Sequence, residues 1–100
     1  MVDLQIVGGG AAGLCAALYA ARAGLSVRVF DRAGGGGQMT EVAEIANYPG
    51  VGRISGMALA KEFYRAAVAA GAEIVTAEVS RGERSDTGFV LFAGGEQRES

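Results

Sequence analysis

Gly8, Gly10 and Gly13 stand in the spacing GxGxxG inside Leu4-Gln5-Ile6-Val7-Gly8-Gly9-Gly10-Ala11-Ala12-Gly13-Leu14, and an acid, Asp31, follows further along. Residues of these types can hold a dinucleotide. The first glycine permits a tight turn, the second lets backbone approach a diphosphate with no Cβ in the way, and the third lets a helix sit close on a sheet. Free N–H groups at the start of that helix, with the positive end of its dipole, then bind the diphosphate. Asp31 lies about 20 residues beyond the turn, where a carboxylate accepts hydrogen bonds from both hydroxyls of an adenosine ribose. Its charge repels a 2′-phosphate, although Arg32 beside it carries the opposite charge and leaves that choice open.

The chemistry needs a strand, a helix and a second strand in that order. Leu4 to Val7 reads as the first strand. Ala11 to Ala23 is rich in Ala and Leu, has no Pro and no Gly after Gly13, and stops at Gly24, a natural residue just past a helix end. Val27-Arg28-Val29-Phe30-Asp31 is β-branched and apolar and reads as the second strand. Together they form a complete βαβ unit.

At 100 residues, half of them apolar, the chain is expected to fold as one domain covering residues 1–100. A formal charge of −2 leaves no basic surface for nucleic acid or anionic lipid. The first apolar helix meets Arg22 before it could span a bilayer, and no basic leader with an apolar core opens the sequence, so a cytoplasmic protein is expected. There is no His and a single Cys, so a CxxC pair, a hydrolase triad and a zinc centre all lack their residues. Cys15, among Ala and Leu, reads as a small buried hydrophobe rather than a reactive thiol. No residue reads as catalytic and none as a metal ligand.

Gly34-Gly35-Gly36-Gly37-Gln38 can set backbone amides against a ligand or serve as a linker. Downstream, Thr40 and Asn47 stand among apolar residues before a Pro49-Gly50 turn, and such amides and hydroxyls suit the edge of a flat heteroaromatic ring or ordinary capping roles. Ser55 is a candidate N-cap for a helix from Met57 to Ala70, with Ala60, Phe63, Tyr64, Ala67 and Val68 as its core stripe. Glu73 to Ala77 reads as a third parallel strand, and Val79 to Glu83 with Phe89 to Ala93 as an antiparallel hairpin. Gly94-Gly95 and Glu96 to Ser100 read as a polar end with no further core element.

In order and spacing, "IVGGGAAGLCAALYAARAG", "GGQMTEVAEIANYPG" and "ISGMALAKEFYRAAVAAGAEIV" resemble the thioredoxin reductase family of flavoproteins over nearly the whole chain. The second segment is the more specific, because that family wraps the isoalloxazine of FAD with GGQ, a Thr and an Asn-aromatic-Pro-Gly close. The resemblance implies that Gly8, Gly10, Ala11, Ala12 and Gly13 face the FAD diphosphate. It sets Asp31 and its neighbour Arg32 at the adenosine ribose, the backbone around Val79 at the adenine, and Gly37, Gln38, Thr40 and Asn47 at the flavin. Ala11 stands where the family often has Pro, and Ala46 where an acid often precedes the Asn. The family's NADPH-binding domain with its CxxC pair, and its returning C-terminal segment, have no counterpart in these residues. Related glutathione-reductase-like enzymes carry cysteines after the second glycine patch, where Gln38 and Met39 stand here, and that branch is disfavoured.

The fold expected is α/β: a Rossmann-like FAD/NAD(P)-binding unit of three layers, with parallel strands in order 3-2-1, helices packed on them, a small antiparallel hairpin across one face, and the domain incomplete. The function implied is the FAD-binding portion of an NAD(P)H-dependent oxidoreductase resembling thioredoxin-disulfide reductase, with NADPH and a thioredoxin-like protein or other disulfide substrate as partners of the parent enzyme. A ferredoxin- or flavodoxin-NADP reductase of similar build, and a nucleotide-binding module without turnover, are the alternatives. The 100 residues alone are not expected to turn over. With the closing segment missing, an uncovered apolar face on the sheet is expected to give dimerisation, as a homodimer, poor solubility or partial disorder.

Overall fold

The computed structural model describes residues 2–32, 55–94 and 96–99. Their order is β1 (Leu4–Val7), α1 (Ala11–Arg22), β2 (Val27–Asp31), α2 (Gly56–Ala69), β3 (Glu73–Thr76), β4 (Val79–Arg84), β5 (Phe89–Ala93) and β6 (Glu96–Glu99). The first three strands form a parallel sheet in the order β1-β2-β3, and the last three form an antiparallel sheet in the order β4-β5-β6.

Register follows from which residues can be buried. Leu4 pairs with Val27, Ile6 with Val29, and Val29 in turn with Ile74. Because alternate side chains share a face, these five point the same way. There Leu14 and Ala17 of α1, and Phe63 and Ala67 of α2, pack against them. Ala17 and Ala67 are fully buried, and their small side chains let the two helices lie together on the sheet.

The opposite face holds Phe30, only 1% exposed, and Gln5. The antiparallel sheet lies on that side: Gln5 Nε2 donates to the Arg98 carbonyl at 3.2 Å, and Gln5 and Val7 share a groove with Phe89 and Leu91. The expected apolar exposure falls at this groove, where Val7 is 61% and Phe89 56% exposed.

Both helices end in the same way. The Gly24 N–H donates to Ala21 and the Leu25 N–H to Ala20, while the Gly71 N–H donates to Val68 and the Ala72 N–H to Ala67. These paired bonds require a left-handed residue after the cap, and Gly24 (φ 91°) and Gly71 (φ 110°) supply it. α2 begins at Ser55, whose hydroxyl accepts from the Ala58 N–H at 3.1 Å.

Two expectations are corrected. The end read as a polar tail contains β6, with Ala93 opposite Glu96 and Val90 opposite Glu99. A polar edge strand is held by backbone pairing and needs no apolar alternation, and Gly94, at φ 58°, makes the tight turn that admits it. The core stripe of α2 was also read too wide. Gly56, Leu59, Ala60 and Ala67 are its buried residues, whereas Tyr64 (39% exposed) and Val68 (44%) face outward. At 100° per residue Tyr64 and Val68 lie about 40° and 80° beyond Ala60, off the edge of the buried stripe. With Lys61, Arg65 and Ala69 they line a groove on the outer side of the helix.

At the end of the sheet remote from the glycine turn, the Asp3 carboxylate accepts from the Ser26 N–H at 2.8 Å and from its hydroxyl at 3.1 Å, while Ser26 Oγ accepts from the Asp3 N–H at 2.8 Å. The backbone bond from Ser26, then its hydroxyl, hold the Asp3 pKa below the ordinary 3.8. A lowered carboxylate pKa contributes stability that is complete above the unfolded value and lost as pH falls through the folded one. In urea titrations the advantage of the wild-type chain over Ser26→Ala is therefore expected to shrink as pH drops below 3.8. An advantage that is constant across this range would show that the bond from the Ser26 hydroxyl to the carboxylate contributes nothing, the backbone N–H bond being kept in the variant.

Candidate functional site

The Gly8 N–H donates to the Phe30 carbonyl at 2.8 Å and so extends the β1–β2 ladder one step past the strand. The chain then turns sharply, with Gly8 at φ 105°, a conformation that side chains with a Cβ rarely adopt. A Cβ placed on Gly13 would strike the Gly8 carbonyl oxygen and lie 3.4 Å from Ile6 Cγ2. The third glycine of the motif is thus required by the contact between the first turn of α1 and the end of β1.

Gly10 is the N-cap of α1, extended at φ −77° and ψ −167°, and its carbonyl accepts the first helical bond from the Leu14 N–H at 3.0 Å. No side chain caps this end and no acidic residue stands in the first turn. The N–H groups of a first turn have no acceptor within their own helix, so the positive end of α1 is left to an external anion. Ala11 and Ala12 are exposed there.

Asp31 closes β2 beside the turn. One of its carboxylate oxygens accepts from the Gly9 N–H at 2.9 Å, and its carbonyl accepts from the Ala77 N–H at 3.2 Å. The bond to Ala77 ties the end of β2 to the chain leaving β3. Val7, Gly8, Phe30, Asp31, Arg32, Ala77, Glu78 and Val79 together line a cleft of about 190 Å³. Two carboxylates and one guanidinium on its walls favour a neutral hydrogen-bonding group over a phosphate, which suits the uncapped helix end instead. The cleft and the uncapped helix end are thus adjacent but differ in the charge they accept.

Of the residues expected from sequence, Gly8, Asp31, Arg32 and Val79 meet in this cleft, and Gly10, Ala11, Ala12 and Gly13 form the adjoining helix start. Gly37, Gln38, Thr40 and Asn47 lie outside the described residues. Phe30, Ala77, Glu78 and Gly9 were not anticipated. Phe30 read as an ordinary core strand residue, and the two residues after β3 carried no motif. Gly9 was hidden within a run of glycines whose members cannot be told apart by type.

The sequence and fold have known counterparts. The family described as FAD dependent oxidoreductase matches residues 3–91. A thioredoxin reductase of Treponema pallidum is 42% identical over 93 residues, covering 92% of this chain and 30% of that protein. One from Helicobacter pylori is 37% identical over 95 residues, with 93% and 30% covered. Among solved structures, the T. acidophilum thioredoxin reductase superposes with a TM-score of 0.93 at 38% identity, over 99% of this chain and 33% of that one. The Lactococcus lactis enzyme gives 0.92 at 31% identity, over 98% and 32%. The chain thus spans about a third of the length of these proteins.

Proposed function

Because the chain belongs to the FAD dependent oxidoreductase family, we propose that it is the N-terminal, FAD-binding part of a flavoprotein that passes electrons from NADPH to a protein disulfide. The observation that carries this reading is the glycine turn, which delivers an uncapped, acid-free helix start next to a nucleoside-sized cleft ending on Asp31. Those residues fit FAD. The amides of Gly10, Ala11 and Ala12 would hold its diphosphate, Asp31 its ribose hydroxyls, and the backbone at Val79 its adenine. Gln38, Thr40 and Asn47 would face the flavin ring. When bound, FAD supplies two-electron exchange between a nicotinamide and a disulfide. The residues named here bind and orient it.

The NADPH site, the redox cysteines and the thioredoxin-like partner belong to a parent enzyme about three times this length, of which residues 1–100 form one Rossmann-like portion. The curated relatives named above are thioredoxin reductases, which favours a disulfide substrate over ferredoxin or flavodoxin. A reducing, cytoplasmic setting suits that chemistry. No helix among the described residues is long and apolar enough to cross a membrane. The groove bearing Val7 and Phe89 supports self-association as a homodimer.

Titration of the purified chain with FAD tests the reading. The expected result is saturable quenching of flavin fluorescence, competed by ADP, together with a flavin absorption band that stays with the protein through gel filtration. A chain that remains colourless and leaves the fluorescence of added FAD unchanged would overturn it.

A further inference from the structure

The family motif assigns work to Gly8, Gly10 and Gly13 but none to Gly9, and it gives Asp31 only the ribose. The structure gives both residues a second task, through one peptide group. The carbonyl of the Gly8–Gly9 peptide faces Gly13, close enough that a Cβ there would collide with its oxygen. The N–H of the same peptide donates to Asp31 Oδ1 at 2.9 Å. In a trans peptide the C=O and N–H point in opposite directions, so a single plane is held from both sides, by the helix on one and by the end of β2 on the other. The Gly13 side is a Cα–H contact with a carbonyl, weak by itself, whereas the Asp31 side is a charge-assisted hydrogen bond.

A glycine between two other glycines has the widest conformational choice of any backbone position, and the amides that follow point wherever this plane directs them. We infer that the Gly8–Gly9 peptide is fixed before any ligand arrives, with Asp31 as its side-chain anchor, and that this aims the Gly10, Ala11 and Ala12 amides at a diphosphate. Asp31 is thus a positioning residue for the phosphate subsite as well as a partner for the ribose, and the Gly9 N–H is withheld from the diphosphate. This rests on the dinucleotide reading given above.

The probe is 2′,3′-dideoxy-ADP, which keeps adenine and diphosphate but has no ribose hydroxyl for Asp31 to accept from. The variants are Asp31→Asn and Asp31→Ala. Both remove the charge, but only Asn keeps an oxygen within reach of Gly9. Calorimetric titration of the full chain is expected to show Asp31→Ala binding dideoxy-ADP about fivefold more weakly than Asp31→Asn, the fold-change of one ordinary hydrogen bond. Equal affinities would overturn the inference. So would Asp31→Asn and Asp31→Ala both binding dideoxy-ADP more tightly than the wild type and to the same degree, because that is what a carboxylate that merely repels phosphate predicts.

Amide hydrogen exchange of the unliganded chain provides a readout independent of any ligand. The Gly9 amide is expected to exchange at least about tenfold faster in Asp31→Ala than in the wild type, with α1 unchanged beyond its first turn. Equal Gly9 rates would sink the inference. If Asp31→Ala does not fold, Asp31→Ser, which keeps a polar group but falls short of Gly9, takes its place in both measurements. If the wild-type chain binds neither ADP nor dideoxy-ADP, the proposed function falls, and the exchange rates alone decide whether the peptide is anchored.

Discussion

Gly13→Ala is expected to destabilise the chain by about 3 kcal/mol, although it places the best helix former within a helix. The two effects have opposite signs. In an uncrowded helix, Gly→Ala stabilises by about 1 kcal/mol. At Gly13 the added methyl would meet the Gly8 carbonyl, which is backbone and cannot rotate aside. Relief means lifting the start of α1 from the sheet and with it Leu14, a fully buried core residue. For a domain whose whole stability is about 5–15 kcal/mol this is a large fraction, and the same displacement disperses the amides aimed at the diphosphate. Urea titration checks the magnitude, with the exposed Ala16→Ser as a control expected to stay within about 0.5 kcal/mol of wild type. A Gly13→Ala chain as stable as the wild type would show that the helix and turn are not in contact.

Phe30→Ala is expected to cost about 3–5 kcal/mol, the usual loss for an aromatic ring removed from a packed interior. Phe30 is 1% exposed and is among the largest fully buried side chains described. It lies on the face of the parallel sheet away from the helices, and it also lines the nucleoside cleft. Its loss should therefore act twice, loosening the packing of that face and widening the cleft beside Asp31. Phe30→Leu keeps most of the apolar volume and is expected to cost about 1–2 kcal/mol. Comparing urea midpoints with ADP affinity for the two variants separates the effects, since Leu should restore most of the stability before it restores the affinity. A Phe30→Ala chain within about 1 kcal/mol of the wild type would mean that the site collapses around the missing ring.

Much of this architecture could be read from residue types because local and long-range preferences agree. β2 and β5 fall on the residues expected, since β-branched and aromatic runs there end at an acid or a glycine. α1 and α2 fall within a residue of their expected bounds, because Gly24 and Gly71 can take the left-handed conformation that closes each helix. β6 was not legible: its residues are polar, and only pairing with β5 makes them a strand. The outward face of α2 was misread because Tyr64 and Val68 are apolar yet lie off the buried stripe, a distinction of angle rather than composition. At the site, spacing identified Gly8, Gly13 and Asp31. It could not reveal that Asp31 turns inward to Gly9, since a hydrogen bond between residues 22 positions apart leaves no mark on either one.

The two pairings of the parallel sheet differ in how much chain they close. Asp3 meets Ser26 across 23 positions, whereas Arg28 meets Glu73 across 45, at 2.8 Å. Doubling a loop adds only about 0.6 kcal/mol of closure entropy, so equilibrium scarcely distinguishes them. Synthesis does. At about 5–20 residues per second, several seconds separate the emergence of Ser26 from that of Glu73. The β1–α1–β2 unit therefore has time to close on the ribosome before its third strand exists, and the glycine bend matures ahead of the cleft wall that follows β3.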